Sequence, residues 1–414
     1  MKIIFAPDSF KDSLTAVQVA KILKNKAEEI FRHCEMQEIP LANGDAGTID
    51  TLISVLGGSY ETMSVQNYMG ETIKVTYGVL NKDTAVIETG QLLRDIEISA
   101  YSARQKLLFS STFGVGEMIG NLLDLGYRKI YVGAGVGMTN DGGMGCVSAL
   151  GVRFYNKKGE LLKPAGINLA EISRIDMEDI DPRMKETEIT VMCAVNNVLL
   201  GESGTTYVYG AYNGGGPDEL IQLEHGMRNY AQILEKSTGV TVSGIIGAGS
   251  AGGLPVALKA FCGARLQSGI ATVLHLIRFE ELVGDANLVV VGEGMLDRTS
   301  IYGKAMTGIG MMCKAKGIPV VAIVGKIGRD ADLLYNFGIS SVISSVDTIM
   351  EEAEAIENAK MLVEAAAEKM FRFIAVGMQI QSKEDVISGG GVEMNQKVLQ
   401  KGVINWAVDP NWEE

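Results

Sequence analysis

Residues 2–6, Lys-Ile-Ile-Phe-Ala, form a short apolar run, and the segment Thr15–Phe31 that follows repeats apolar residues at helical spacing. This succession of a buried strand and an amphipathic helix returns late in the chain, where Asn287–Val291 and Ile318–Val324 are continuous apolar runs. Such runs are typical of parallel strands that are covered by helices on both faces. The alternation therefore predicts an α/β fold with a doubly wound parallel sheet. The other predicted strands and helices of these two regions are Glu38–Leu41, Thr48–Leu56, Lys304–Lys316, Ala331–Phe337 and Ser341–Ile343.

The middle of the chain has a different pattern. The segments Tyr60–Gln66, Thr72–Leu80 and Thr84–Glu88 alternate apolar and polar side chains, as antiparallel strands do, and the polar residues 81–83 predict a turn between the last two. The further predicted helices and strands of this region are Phe113–Leu125, Lys129–Val132, Met144–Leu150, Ile189–Ala194 and Pro217–Lys236.

A length of 414 residues exceeds that of one ordinary domain. We expect residues 1–58 and 286–380 to form one doubly wound domain, into which residues 59–285 are inserted as a second α/β domain. Residues 381–414 differ in composition, with three consecutive glycines and both tryptophans of the chain. We expect them to form a C-terminal tail that is either flexible or docks its tryptophans on the protein.

The chain carries 50 acidic and 37 basic side chains, a formal net charge of −13. Nucleic acid is not an expected partner, because a phosphate backbone needs a basic face. Three separated histidines argue against a His-rich zinc site, and five cysteines without CxxC spacing are typical of buried thiols in a reducing compartment. The N-terminal apolar run is too short for a signal peptide, and Gly239–Leu258 has the composition of a loop rather than a membrane span. We therefore expect a cytoplasmic protein that does not bind membranes.

Glycine is over-represented, with 50 of 414 residues, about 12%, against a typical value of about 7%. The glycines cluster beside acids, hydroxyls and amides, mostly where a predicted strand leads into a helix. Backbone N–H groups at such helix starts can bind phosphate oxygens. The clusters are Asn43–Thr48, Thr112–Glu117, Gly133–Gly143, Gly247–Gly253 and Gly292–Asp297.

Residues Gly247–Gly252 match the dinucleotide-binding fingerprint G-x-G-x-x-G. The apolar run before them is short, and no acid follows about twenty residues later to hold a ribose. An NAD(P)-dependent oxidoreductase is therefore only an alternative. The sequence lacks the P-loop motif, the protein-kinase motifs and the G-x-S-x-G motif of α/β-hydrolases.

A polar segment, Asp8-Ser9-Phe10-Lys11-Asp12-Ser13, directly follows the first strand. In open α/β sheets, ligands bind beyond the carboxyl ends of strands. Ser9 or Ser13 would cap the next helix or bind a ligand oxygen, and Lys11 would neutralise phosphate or carboxylate charge. A surface cap with a solvated lysine fits this segment equally well.

Several separated motifs resemble the bacterial glycerate kinase family, the type that phosphorylates glycerate at the 2-position with ATP. The opening Ala6–Leu14 is similar to that family's signature, as are Thr139–Gly143 and Gly247–Gly253, and the similarity runs in order from residue 1 to about 375. Similarity to the family is also found in Gly292-Glu293-Gly294 with Asp297, and in Gly303-Lys304. The resemblance implies a flavodoxin-like domain with an inserted second domain, a small hydroxy-acid substrate, ATP and Mg²⁺. A homo-oligomer is compatible with the sequence.

Phosphoryl transfer needs positioning, charge neutralisation and an acceptor for the hydroxyl proton. The motifs above supply candidates for each role, although a loop-capping role suits each of the acids equally well. We assign no certain metal ligand, since Mg²⁺ uses only one or two carboxylates with phosphate and water. The catalytic candidates are Asp8, Lys11, Asp141, Asp297 and Lys304. The candidates for binding the hydroxy-acid are Ser9, Ser13, Thr139, Asn140 and Asn197. The candidates for binding the nucleotide or its phosphates are Gly142, Gly143, Gly247, Gly249, Gly252, Gly253 and Glu293.

The chain also departs from the family pattern, and the departures lie in glycine-flanked loops. In the family's Ala-Asp-Gly-Gly-Glu-Gly-Thr motif this chain has Asn43 and Ala46 in place of the two acids, and it gains Asp45. Asn196 replaces a usual Asp, and Met295 replaces a usual Arg. These changes predict a shifted substrate or weaker catalysis, so a family member that binds a metabolite without turnover is the alternative function.

Overall fold

The computed structural model describes residues 1–10, 13–94, 101–296, 305–329 and 331–388, with backbone alone for 381–388. Three predicted site residues, Lys11, Asp297 and Lys304, lie outside these ranges. The chain divides into two compact units. Unit 1 comprises Met1–Pro40 and the chain from Glu280 onward, and unit 2 comprises Leu41–Phe279.

The regular elements alternate along both units. The described strands, in chain order, are β1 (Lys2–Pro7), β2 (Glu35–Glu38), β3 (Ser59–Gln66), β4 (Thr72–Val79), β5 (Thr84–Glu88), β6 (Lys129–Ala134), β7 (Arg153–Tyr155), β8 (Arg174–Asp176), β9 (Glu188–Cys193), β10 (Arg265–Ser268), β11 (Leu288–Leu296), β12 (Val320–Ile327) and β13 (Ser341–Ser344). The described α-helices are α1 (Ala16–Ile30), α2 (Thr48–Leu56), α3 (Gly90–Leu93), α4 (Ala103–Phe109), α5 (Phe113–Asp124), α6 (Met144–Ala149), α7 (Pro217–Thr238), α8 (Leu254–Cys262), α9 (Gly269–Leu276), α10 (Phe279–Leu282), α11 (Ala305–Ala315), α12 (Glu352–Glu357) and α13 (Ala359–Ser388). Short 3₁₀ segments lie at Gly166–Glu171, Pro182–Glu186, Ser250–Gly253 and Ala331–Phe337, and a π-helical turn lies at Thr206–Gly210.

Unit 1 contains a five-stranded sheet with the order β13-β12-β11-β1-β2, in which every neighbouring pair is parallel. Counted along the chain within the unit, this order is 5-4-3-1-2, which is the strand order of flavodoxin-like folds. The central pair is in register from Ile3 opposite Leu288 to Pro7 opposite Gly292. The expected doubly wound, flavodoxin-like sheet is confirmed.

Helix α1 packs on unit 1 through the apolar face that its sequence spacing predicts. Ala20, Leu23 and Ala27 on that face are completely buried. The Phe371 ring of α13 meets the Phe5 ring of β1 edge-on, with 6.2 Å between the ring centroids. Burial of these side chains removes apolar surface from water and holds the two helices on the sheet.

The start of α1 corrects the prediction that Ser9 or Ser13 caps it. The cap is Thr15, whose hydroxyl accepts a hydrogen bond from the Gln18 N–H, while the Gln18 side chain accepts one from the Thr15 N–H. This reciprocal pair is a capping box. Ser13 uses its hydroxyl locally, donating to the Phe10 carbonyl oxygen at 2.9 Å, and Ser9 lies further from the helix, in the segment after β1.

Unit 2 contains a six-stranded sheet with the order β10-β9-β6-β5-β4-β3. The strands from β10 to β5 run parallel, and β5, β4 and β3 are antiparallel neighbours, as predicted. The two-stranded ribbon of β7 and β8 was not predicted, because strands of three residues leave no clear alternation. The parallel strands of unit 2 end on one edge, at Glu88, Ala134, Cys193 and Ser268.

The first join between the units differs from the predicted residue 59. Unit 2 begins at Leu41 because α2 packs on β4 and β5 of its sheet, where a Cβ added to Gly78 would lie 3.0 Å from Ile49. The second join lies between Phe279 and Glu280, close to the prediction.

Three further features depart from the sequence predictions. Strand β2 pairs with β1 at Glu35–Glu38 rather than at the predicted Glu38–Leu41, and Pro40 has no N–H with which to extend the ladder. Helix α13 continues through Ser388, so residues 381–388 belong to a helix rather than to a tail; residues 389–414, with the tryptophans, lie outside the described part. Cys34 is partly exposed, whereas the other four cysteines are buried.

In the part of the chain that the structure describes, no helix combines the length and apolar character that a membrane span needs.

Candidate active site

The loop before α2 lies across the carboxyl ends of the parallel strands of unit 2. A Cβ added to Gly44 would lie 2.6 Å from the Met192 carbonyl oxygen of β9, and a Cβ added to Gly133 of β6 would lie 2.7 Å from the Gly44 carbonyl oxygen. Gly44 also has a φ of +92°, so both the space and the backbone conformation require glycine. This packing fixes the segment that carries Asn43 and Asp45 over the edge of the sheet.

The two glycine-rich loops that were predicted to bind phosphate pack against each other. The Ala251 N–H donates to the Gly135 carbonyl oxygen at 2.7 Å, and the Gly142 N–H donates to the Gly252 carbonyl oxygen at 2.9 Å. The Thr139 hydroxyl donates to the Ala251 carbonyl oxygen at 3.3 Å. Motifs that are more than a hundred residues apart in sequence are therefore joined at one edge.

Several of the predicted phosphate-binding amides are already hydrogen-bonded within the protein. The Gly143 N–H donates to the Asp141 carboxylate at 3.0 Å, and the Gly249 N–H donates to the Asn197 carbonyl oxygen at 2.9 Å. The Gly142 and Gly249 amides hold one loop to another and the Gly143 amide bonds within its own loop, so a phosphate would have to displace existing bonds. Close packing accounts for the other three glycines, since Cβ atoms added to Gly247, Gly252 and Gly253 would lie 2.8, 2.1 and 2.9 Å from their nearest neighbours.

Asp141 was predicted to be catalytic, and the structure shows its carboxylate hydrogen-bonded within the protein. Its carboxylate accepts hydrogen bonds from the backbone N–H and hydroxyl of Thr112, and from the N–H groups of Gly143 and Gly145, all at 2.8 to 3.0 Å. Burial raises the pKa of Asp141, and these donors oppose the shift. With 0% of its surface exposed, Asp141 anchors the loop after β6, and its catalytic role stays a prediction.

The polar residues that were predicted to bind the hydroxy-acid in unit 2 separate into two groups. Thr139 and Asn140 are each 2% exposed, and the Asn140 amide donates to the Thr206 hydroxyl at 3.1 Å, so both are buried and held within the protein. Asn197 is partly exposed and accepts a hydrogen bond from the Tyr209 hydroxyl at 2.5 Å. Burial raises the pKa of Tyr209 to about 12, so this hydroxyl keeps its proton. Asn197 therefore stays a candidate for ligand contact.

An ion pair that the sequence patterns did not single out lies at the same edge. The Asp45 Oδ1 atom is 3.0 Å from the Arg94 Nη2 atom, and the side chains are 24% and 52% exposed. The Asn43 side chain accepts a hydrogen bond from the Asp45 N–H at 3.2 Å. Arg94 directly follows the four-residue helix α3, outside every glycine cluster, so no motif marks it.

A second missed residue, Glu88, is the last residue of β5. It is 7% exposed, and its Oε1 atom accepts a hydrogen bond from the Ile49 N–H at 2.8 Å, at the start of α2. Burial, together with the nearby charges of Asp50 and Asp45, raises the pKa of Glu88 to about 7. A carboxyl group that titrates near neutral pH is suited to accept and release protons. The only sequence signal for Glu88 is its place at the carboxyl end of a strand that leads into a glycine.

The carboxyl edge of the unit 1 sheet carries two predicted acids, Asp8 and Glu293. The Asp8 N–H donates to the Gly292 carbonyl oxygen at 2.9 Å, so Asp8 directly follows β1 at the level where Glu293 continues β11. Two residues further along β11, Met295 is paired with Lys326 of β12. A lysine therefore lies beside the position where the family pattern has arginine.

The remaining predicted catalytic residues, Lys11, Asp297 and Lys304, lie outside the described residues, and their roles stay predictions. Among the residues that the structure does describe, no group of three or more His, Cys, Asp or Glu side chains is placed to hold a metal ion.

Comparison with known proteins identifies the family. Residues 3–375 match the model of the glycerate kinase family. A relative named glycerate kinase from Halalkalibacterium halodurans is 36% identical over 366 residues, which cover 88% of this chain and 96% of the relative. This chain belongs to the glycerate kinase family. A relative named glycerate 2-kinase from Escherichia coli is 34% identical over 380 residues, which cover 92% of this chain and 99% of the relative. A crystal structure from Salmonella typhimurium LT2, described as a candidate glycerate kinase 2, aligns at 32% identity with a TM-score of 0.78, covering 92% of this chain and 99% of that chain.

As a member of the glycerate kinase family, the protein is a phosphotransferase with an alcohol group as acceptor. The same comparisons confirm the resemblance seen in the sequence motifs and the α/β architecture. The oxidoreductase alternative loses its basis in the structure, because the dinucleotide fingerprint needs a strand directly before it. Residues Gly247–Gly252 instead lie in the connection between α7 and α8.

Proposed function

We propose that this glycerate kinase family member transfers the γ-phosphoryl group of ATP to the 2-hydroxyl of glycerate, which yields 2-phosphoglycerate and ADP. The observation that carries the proposal is Glu88, a carboxyl group with a pKa of about 7 at the edge where the glycine loops meet. The relatives named glycerate kinase and glycerate 2-kinase support the choice of substrate and of position.

In the proposed step, the 2-hydroxyl oxygen of glycerate forms a bond to the γ-phosphorus while the bond from that phosphorus to the ADP oxygen breaks. The hydroxyl proton passes to the Glu88 carboxylate and is later released to water. With a pKa of about 7, close to half of the Glu88 side chains are ionised at neutral pH and ready to accept it. Asn197, held by Tyr209, is proposed to orient the substrate from the loop after β9.

The donor set in unit 1 fits a magnesium–nucleotide complex. Mg²⁺ usually takes one or two carboxylates and completes its shell with phosphate oxygens and water. We assign Asp8 and Glu293 to this role, because both are carboxylates and Asp8 directly follows β1 at the level where Glu293 continues β11. When bound, Mg²⁺ neutralises the charge of the phosphates. Lys11 and Lys304 are proposed to neutralise the transferred charge, and Asp297 is proposed to hold Mg²⁺ or accept the proton. The cytoplasmic location also remains a prediction, and a homo-oligomer remains compatible with the sequence.

The test is a coupled assay of ADP release with glycerate as the varied substrate. We expect release that depends on glycerate and is abolished when EDTA removes Mg²⁺. Glu88→Gln should lower kcat by about 10²–10⁴-fold, the usual effect of losing a general base. The matched control is Glu61→Gln, because Glu61 is exposed on β3 and should leave kcat unchanged.

Phosphorus NMR of the product locates the phosphate. Attachment at the 2-oxygen splits the signal by the single proton on C2, whereas attachment at the 3-oxygen splits it by two protons. A triplet would overturn the proposed position. ADP release that no hydroxy-acid raises above background would overturn the proposed activity, and glycerate binding without ADP release would identify the weakened family member instead.

A further inference from the structure

We propose that Arg94 recognises the carboxylate of the hydroxy-acid substrate, and that the Asp45 carboxylate occupies this position on Arg94 until the substrate displaces it. The inference rests on the proposed function only in requiring a substrate that carries a carboxylate. It adds a recognition residue, Arg94, that lies outside every glycine cluster, and a built-in competitor, Asp45, within the Asn43–Thr48 cluster.

The first argument is the position of the pair. Asp45 follows Gly44, whose packing on β9 fixes the loop across the carboxyl ends of the parallel strands. Arg94 follows Leu93, whose carbonyl oxygen accepts a hydrogen bond from the Met138 N–H at 2.6 Å. The pair is thus held from two sides at the edge where ligands of open α/β sheets bind.

The second argument is the space that surrounds the pair. A Cβ added to Gly135 would lie 2.2 Å from the Asp45 Oδ1 and Cγ atoms, so no larger residue fits beside this carboxylate. A Cβ added to Gly90 would lie 3.3 Å from Asp45 Oδ1 and 3.2 Å from Arg94 Nε. Two glycines therefore leave room for one carboxylate against one guanidinium, which is the geometry that recognition of a substrate carboxylate needs.

The third argument is that this ion pair is incomplete. The Asp45 Oδ1 atom is buried, yet it accepts no hydrogen bond from the described residues, and its contact with Arg94 at 3.0 Å is ionic only. The Arg94 side chain is 52% exposed, so its remaining N–H groups are open to solvent and to a ligand. A mobile substrate carboxylate can align with both guanidinium N–H groups, which a carboxylate tethered in a fixed loop does not do here.

A purely structural salt bridge makes a different prediction from a recognition site. Ion pairs this exposed add little stability, and replacing either partner has the same effect on stability. In a recognition site the two partners act in opposite directions, because Arg94 attracts the substrate while Asp45 competes with it. The direction in which each single substitution shifts the affinity for the substrate therefore separates the two roles.

The experiment measures KM and kcat for glycerate, and glycerate affinity by calorimetry, in Arg94→Met, Arg94→Lys and Asp45→Asn. Arg94→Met should raise KM and Kd about 10- to 100-fold, with Arg94→Lys in between. Asp45→Asn, which keeps the size of the side chain, should lower both about 2- to 5-fold. The double variant should resemble Arg94→Met, since a competitor is irrelevant once its target is gone.

Glycerol is the matched probe, because it has hydroxyl groups but no carboxylate. Preference for glycerate over glycerol should fall in Arg94→Met by the same 10- to 100-fold factor. If Arg94 were only structural, the substitution would change the affinity for both ligands equally. Equal shifts of KM in the same direction for Arg94→Met and Asp45→Asn would overturn the inference. If glycerate is not phosphorylated, the proposed function fails, and the inference is then decided by calorimetry with C3–C6 hydroxy-acids. Failure of all of them to bind, or binding that Arg94→Met leaves unchanged, would overturn it as well.

Discussion

Replacing Glu88 with glutamine should stabilise the protein at alkaline pH and at the same time reduce turnover. The amide keeps an oxygen that can accept the hydrogen bond from the Ile49 N–H, which the Glu88 carboxylate accepts at 2.8 Å. The amide cannot ionise, so it removes the penalty of a buried charge. Opposite effects on stability and turnover are expected where a group is buried for its chemistry.

The size of the stability effect follows from the pKa. The pKa of Glu88 is about 7 in the folded protein against an ordinary value of 4.5, a difference of about 2.5 units, and each unit corresponds to about 1.4 kcal/mol. Between these two values the folded chain binds more protons than the unfolded chain, so the free energy of unfolding falls as the pH rises. The full penalty, about 3 kcal/mol, is present above pH 7 and absent below pH 4.5.

The assay is thermal unfolding of the wild-type protein and Glu88→Gln at pH 5 and pH 8. For a unit of this size, 3 kcal/mol corresponds to a Tm difference of roughly 6–12 °C at pH 8, and the difference should shrink toward zero at pH 5. The exposed control Glu61→Gln should show no such pH-dependent gain. A Glu88→Gln protein that is no more stable than the wild type at pH 8 would refute the assignment of a buried, ionising carboxyl group.

Three other substitutions test the structural assignments by urea unfolding. Thr15→Ala should lower the free energy of unfolding by about 1 kcal/mol because it removes the capping box of α1, and Ser13→Ala, outside that box, should change it less; equal effects would contradict the cap assignment. Asp141→Asn should cost about 3 kcal/mol or more, since an NH₂ group would then face buried N–H donors, and an unchanged midpoint would contradict the anchoring role. Gly142→Ala should be destabilising by about 2 kcal/mol, because its φ is +62° and the new Cβ would lie 2.5 Å from an aromatic ring, whereas Gly120→Ala, in open space on α5, should stabilise by up to about 1 kcal/mol. Effects of the same sign at the two glycines would refute this distinction.

Most of the fold could be predicted because its signals are local. The apolar runs of β1 and β11 and the amphipathic spacing of α1 depend on residues within one element, and all three elements were found. The assignment of α2 to a unit failed, because it depends on contacts between Ile49 and Gly78, which are far apart in sequence. Periodicity identifies a helix and its buried face, but it does not identify the sheet on which that face packs.

The candidate site was predicted in part, for a similar reason. Glycine clusters identified the loops, since the glycines mark places where chains approach closely. The roles of single side chains could not be predicted in the same way. Asp141 and Glu88 are both acids within two residues of a glycine, and only burial and partners show that the first is held by the surrounding donors while the second has a pKa near neutrality.

The packing of the glycine loops also bears on how the site recognises charge. Glycines at Gly133, Gly135 and Gly252 let loops touch at distances that no side chain would permit, and amides such as that of Gly142 are used in that contact. Because these backbone N–H groups are hydrogen-bonded between loops, the edge is rigid, but fewer N–H groups are available to bind an anion. Recognition of the substrate then falls to side chains carried on the rigid loops, and rigid support is what places such side chains accurately. The half-exposed guanidinium of Arg94 fits this need, which is why its loss should weaken binding of a hydroxy-acid far more than the modest strength of its ion pair implies.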